Sequence, residues 1–124
     1  MKSKKLLVIV IMVFVLVIGW AFALKAVTGI DDKKKQDELL SEADSFMSRE
    51  LYVRAIPLYE EALSYDTSDS KNFEIENKLM NAYLVHSDMD EYVDIVEKRV
   101  KNNTALEDDY INAANYYISR YDND

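Results

Sequence analysis

Leu39-Leu40-Ser41-Glu42-Ala43-Asp44-Ser45-Phe46-Met47, the break Ser48-Arg49-Glu50-Leu51, and then Tyr52-Val53-Arg54-Ala55-Ile56-Pro57-Leu58-Tyr59-Glu60-Glu61-Ala62-Leu63 form the stretch that decides the fold. Apolar residues recur three and four apart on both sides of the break: Leu39, Leu40, Ala43, Phe46 and Met47 before it, then Ala55, Ile56, Tyr59, Ala62 and Leu63. That spacing puts each set on one face of a helix, and each face needs a core. Working outward, further breaks fall at 66–70, 87–88 and 102–104, all rich in residues that cap helices. The pattern predicts five helices, at about 33–48, 52–65, 71–86, 89–102 and 105–121. The only glycines are Gly19 and Gly29 and the only proline is Pro57, so nothing after Ile30 has the turn chemistry of hairpins and an all-α fold is expected. Pro57 stands early enough in its helix that only the bond to Val53 is lost.

Upstream, the 19 residues from Leu6 to Leu24 contain no charge. As a helix they reach about 28 Å, the thickness of a bilayer core. Twelve strongly apolar residues at 6–11 and 13–18 favour insertion by several kcal/mol. Trp20 and Phe22 suit the headgroup layer, and Lys25 is near enough to reach it. The chain therefore divides into a basic tail and transmembrane signal-anchor at 1–30, with the span at 6–24, and a helical domain at 31–124. Lys2, Lys4 and Lys5 abut the span. Lys33, Lys34 and Lys35 stand farther off, beyond Asp31 and Asp32. This asymmetry predicts a cytoplasmic N-terminus and an extracytoplasmic domain. Two alternatives remain. Ala21-Phe22-Ala23 after the 13-residue apolar run and Gly19 fits a signal peptide cut after Ala23, which would secrete the domain. Inverted insertion would leave the domain in the cytoplasm.

From Asp31 onward there are 11 basic and 23 acidic residues, a formal charge near −12, against −8 for the whole chain. Such a surface repels phosphate backbones and anionic headgroups, so nucleic acid is not an expected partner. Absence of cysteine removes disulfides and thiolate chemistry. His86, the only histidine, lacks partners for zinc or a catalytic triad and reads as a helix-end residue. The carboxylate clusters Glu60-Glu61, Asp88-x-Asp90-Glu91 and Glu107-Asp108-Asp109 read as first turns and solvated faces. The stretch 66–77 falls short of a calcium loop, with Lys71 at the glycine position and Asn77 at that of the bidentate glutamate. No metal, cofactor or enzymatic activity is expected.

The aromatics that close alternate helices, Phe46, Tyr83 and Tyr117, are spaced by 37 and 34 residues. With Leu39, Ala43 and Phe46 in one helix and Ala55, Tyr59 and Ala62 in the next, the stretch from Leu39 to Ala62 resembles the tetratricopeptide repeat family. In that family, 34-residue antiparallel helix pairs stack into a right-handed solenoid. The second unit keeps Leu79, Tyr83 and the turn-like Asp88-Met89-Asp90-Glu91. It departs at Glu76, Met80, Tyr92 and Arg99, where a bulky opener and small residues belong, which predicts altered helix spacing. The third unit, with Tyr110, Ala113, Ala114 and Tyr117, has one helix, a cap or a docking face. The resemblance implies a concave groove for a protein or peptide, lined here by Asp37, Leu40, Asp44, Met47, Asn77, Asn81, Leu84, Ile111, Asn115 and Ile118. Its asparagine amides can grip a peptide backbone. Of the groove set with which family members clamp a chaperone's terminal carboxylate, only Asn81 matches; Leu40, Asp44 and Ile111 do not, so that ligand class is not expected. All nine tyrosines follow Ile30, more than a small core uses, and suit contact surfaces. The implied role is a tethered, non-enzymatic interaction scaffold, and the acidic surface favours a basic partner. The alternative is a structural anchor or spacer that self-associates as a homo-oligomer or precedes a functional module absent from this chain.

Overall fold

The computed structural model describes residues 2–122, apart from the Lys25 side chain. The expected reach of Lys25 to the headgroup layer lies outside the described residues. Among them, all regular structure is helical: α1 (Lys2–Met47), α2 (Tyr52–Ser64), α3 (Asp69–His86), α4 (Met89–Lys101) and α5 (Glu107–Tyr121).

The expected breaks between the domain helices are present. The expected junction between span and domain is not: the span and the first domain helix are one rod of 46 residues, about 69 Å long. Gly29 sits inside it with open space around its Cα and costs only about 1 kcal/mol relative to alanine. Its neighbours Ala26, Lys33, Lys34 and Lys35 are good helix formers. Thr28 hydroxyl donates to the Leu24 carbonyl at 3.1 Å, and Lys34 pairs with Glu38 one turn on. Gly19 is also helical. One stretch of α1 near the N-terminus is long and apolar enough to cross a membrane, with mean hydropathy 3.1 over its best window and none of that window buried.

Among the described residues, Gln36 is the first buried one along α1. Its amide donates to the Ala62 carbonyl at the end of α2 (2.9 Å) and to Asn72 Oδ1 of α3 (3.2 Å), while its oxygen accepts from the Thr67 hydroxyl. Below that clamp, Leu39, Leu40 and Ala43 of α1 join Ala55, Tyr59 and Ala62 of α2 in the core. The three alanines are fully buried, and their methyl groups let the two helices approach closely. Each helix packs on the one before it, α1 on α2 through to α4 on α5. The core passes along Ile75, Leu79, Met80, Ala82 and Tyr83 of α3 and Tyr92, Val93 and Val96 of α4, and thins to Ala113 in α5. Pro57 lies exposed within α2.

Three of the four turns use one device. Glu50, Ser87 and Asn103 take left-handed φ values of 58°, 69° and 56°. The next residue's N–H returns to the carbonyl five back: Leu51 to Phe46, Asp88 to Tyr83 and Thr104 to Arg99, at 2.9, 2.8 and 2.9 Å. Glycine is the usual occupant of such a cap, asparagine tolerates it, and glutamate and serine bear the Cβ penalty. Replacing Ser87 or Glu50 by glycine should therefore stabilise the fold by about 0.5–1 kcal/mol in urea unfolding, while Asn103→Gly gains less. Equal effects at all three sites would contradict this reading of the turns.

Candidate interaction surface

The second helix pair shows how its unusual residues are accommodated. Arg99 is only 2% exposed and uses every part of its guanidinium. Nε donates to Glu76 Oε1 at 2.6 Å, Nη2 to Asn77 Oδ1 at 2.7 Å and Nη1 to Asp109 Oδ2 at 3.1 Å. Its plane lies 4.6 Å from the centre of the Phe73 ring. Asp109 Oδ2 also accepts the Leu106 N–H at 2.9 Å, fixing the start of α5. Glu76 and Arg99, each out of place in the repeat pattern, form an ion pair between α3 and α4. Tyr92, also out of pattern, is buried, with its hydroxyl accepting from the Asn112 amide of α5 at 3.1 Å.

Polar links also join α1 to α3. Asp44 accepts from the Tyr59 hydroxyl and from Lys78 Nζ, both at 2.6 Å, and Asp37 pairs with Lys71 at 3.2 Å. Burial, then the bond to Asp44, holds the Tyr59 phenol well above its ordinary value of 10.0. Burial, then the bond to Glu60 at 2.6 Å, does the same for Tyr83.

The residues expected to line a groove fall into three groups. Leu40 is in the core. Asp37, Asp44 and Asn77 hold neighbouring side chains, while Met47 and Leu84 pack partly buried against the core. Asn81, Ile111, Asn115 and Ile118 are exposed. Thus the hydrogen-bonding capacity expected of Asn77 is engaged by Arg99, and that of Asn81 and Asn115 faces solvent. His86 stands in the last turn of α3 with Nδ1 2.7 Å from Asp88 Oδ2.

A second surface, not singled out by the repeat pattern, lies at the end of the stack. A cleft of about 310 Å³ between α4 and α5 is lined by Val93, Val96, Glu97, Val100, Lys101, Ala113 and Tyr117. Beside it Tyr110, Ile111, Ile118 and Tyr121 stand exposed on α5. The signal for it is present in the sequence as Val93, Val96 and Val100, three and four apart in α4. Comparison with models of protein families, with characterised proteins and with solved structures finds no match to this chain.

Two measurements check these interactions. Arg99→Ala leaves Asp109 buried without its cation and Glu76 with Lys98 alone, and should cost about 3–5 kcal/mol, whereas adding Glu76→Leu to it should recover part of the loss. A purely additive double variant in urea unfolding would show that the pair is not coupled. The raised phenols predict alkaline sensitivity. Their stabilisation is complete below the unfolded value near 10 and is lost as pH rises above it, because the unfolded chain then releases protons that the fold retains. Each such phenol contributes a fall of up to about 1.4 kcal/mol per pH unit above that point, so Tyr83→Phe should make the slope shallower by up to that amount. A slope unchanged by Tyr83→Phe would contradict this.

Proposed function

We propose that this chain is a membrane-tethered, tetratricopeptide-like scaffold that binds a protein partner and is not an enzyme, with the repeat domain outside the cytoplasmic membrane face. The observation that carries it is the continuity of α1. The segment apolar enough to cross a membrane runs unbroken into the helix on which the domain is built. From Ala26 to Lys35, before the Gln36 clamp, it extends ten exposed residues, a stalk of about 15 Å. Sequential helix pairing from α1 to α5 supports the solenoid arrangement. The repeat-like pattern from Leu39 to Ala62 fits too, since its small positions are the buried alanines. Lys2, Lys4 and Lys5 beside the span support a cytoplasmic N-terminus. The acidic domain favours a basic target.

The test is photo-crosslinking from residues introduced at Asn81, Asn115 and Tyr117 of the full chain in intact cells, with protease protection to report sidedness. A discrete adduct with a second protein, on a domain accessible to external protease, is expected. Adducts only with the chain itself would favour a self-associating spacer, and a protected domain would reverse the orientation. No adduct from any position would overturn the scaffold reading.

A further inference from the structure

The cleft between α4 and α5 has an apolar floor and an acidic edge. Val93, Val96 and Ala113 are buried at its base, while Val100 and Tyr117 are 41% and 46% exposed at its mouth. Asp90, Asp94 and Glu97 follow one another at four- and three-residue spacing on α4, so they form one row beside the valines. Asp90 holds Tyr116 and Arg120 of α5, and Glu97 accepts the Tyr117 hydroxyl at 3.1 Å. Asp94 is exposed. From Asp90 to Glu97 the acidic row is about 10 Å long, two helical turns, and Lys101 follows it at the end of the cleft.

We infer that this cleft seats an amphipathic helix of a partner protein, with aliphatic residues on the face that enters it and lysines or arginines on the flank beside α4. The inference rests on the scaffold reading and assigns it a surface. A helix is the form that fits. Extended chain laid on valine and alanine would leave its backbone groups without partners, whereas a helix satisfies its own and packs ridge into groove between two others. The flank is set by charge, because an acidic row within a domain of formal charge near −12 attracts a basic strip. The same charge opposes two other occupants. A second copy brings acidic surface against acidic rim, and an anionic bilayer is repelled.

The test uses the full chain in nanodiscs of neutral phosphatidylcholine and fluorescein-labelled 15-residue helical peptides. One carries a leucine face with lysine flanks, one the same face with glutamate flanks, and one the lysine peptide's residues scrambled. Fluorescence anisotropy should give the lysine-flanked helix about tenfold tighter binding than either other peptide, with the gap over the glutamate peptide narrowing as salt is added. Val100→Glu and Tyr117→Ser, both at exposed positions, should weaken it by about tenfold with helicity unchanged by circular dichroism. Asp94→Lys with Glu97→Lys should shift preference toward the glutamate-flanked peptide. Equal binding of the scrambled peptide, or binding indifferent to Val100→Glu, overturns the inference. So does self-association of the chain that Val100→Glu abolishes, since a second copy would then hold the cleft. If Asn81→Ala or Asn115→Ala removes peptide binding while Val100→Glu does not, the cleft is wrong and the scaffold reading stands. If no peptide binds and crosslinking yields no partner, both fall.

Discussion

Arg99 is the side chain on which the C-terminal half of the domain depends. Removing a guanidinium from water is costly, and the cost is offset only where every donor direction is met. Here Glu76 and Asn77 meet it from α3, Asp109 from α5, and the Phe73 ring covers its face. Asp109 has a second duty as acceptor of the Leu106 N–H. The end of α4 and the start of α5 are therefore fixed by the same carboxylate. This contrasts with the α1–α2 contact, where three buried alanines bring the helices together and the polar links, Gln36 to the Ala62 carbonyl and Tyr59 to Asp44, involve no buried ion pair. The domain thus changes character along its length, from close alanine packing with a neutral amide clamp to a buried ion network. Because the network positions α5, the apolar side chains of that helix are not all needed to hold it, and several stay in solvent.

The second constraint is α1. With its apolar segment in a bilayer, a helix without a break fixes height and facing together. Each residue in the stalk contributes about 1.5 Å of rise and about 100° of rotation. Which side of the domain looks along the membrane is then a property of stalk length, and the exposed stalk residues from Ala26 to Lys35 act through their number as much as their chemistry. A flexible linker of the same length would let the domain turn freely.

Much of this was legible in the sequence. Domain helices and their breaks followed from spacing at Leu39, Ala43, Phe46, Ala55, Tyr59 and Ala62, because that pattern reports which face is buried. The continuity of α1 was not. The boundary expected from the sequence falls at 30/31, where the apolar run gives way to charge, yet Gly29 and the aspartates are only mildly unfavourable in a helix, the lysines favour one, and apolar periodicity is silent where a helix touches nothing. Glu76 and Arg99 read as two separate misfits 23 residues apart. Their mutual fit exists only in three dimensions. For the groove residues the pattern could place side chains on a face, but not show that Leu40 joins the core or that Asp44 and Asn77 are already engaged.

That engagement bears on where recognition can occur. A peptide in the groove at Asp44 or Asn77 would compete with Tyr59, Lys78 or Arg99 for the same acceptors, and stranding any of these donors costs the full desolvation of a polar group. The α4–α5 cleft carries less of that debt, since Val93, Val96, Val100 and Ala113 have no polar side-chain groups to release and the bond from Tyr117 to Glu97 lies at its exposed mouth. Burying apolar surface there gains free energy directly. A surface whose polar groups are already used internally, and whose apolar groups are not, is better suited to apolar contact steered by charge than to hydrogen-bonded readout of a peptide backbone.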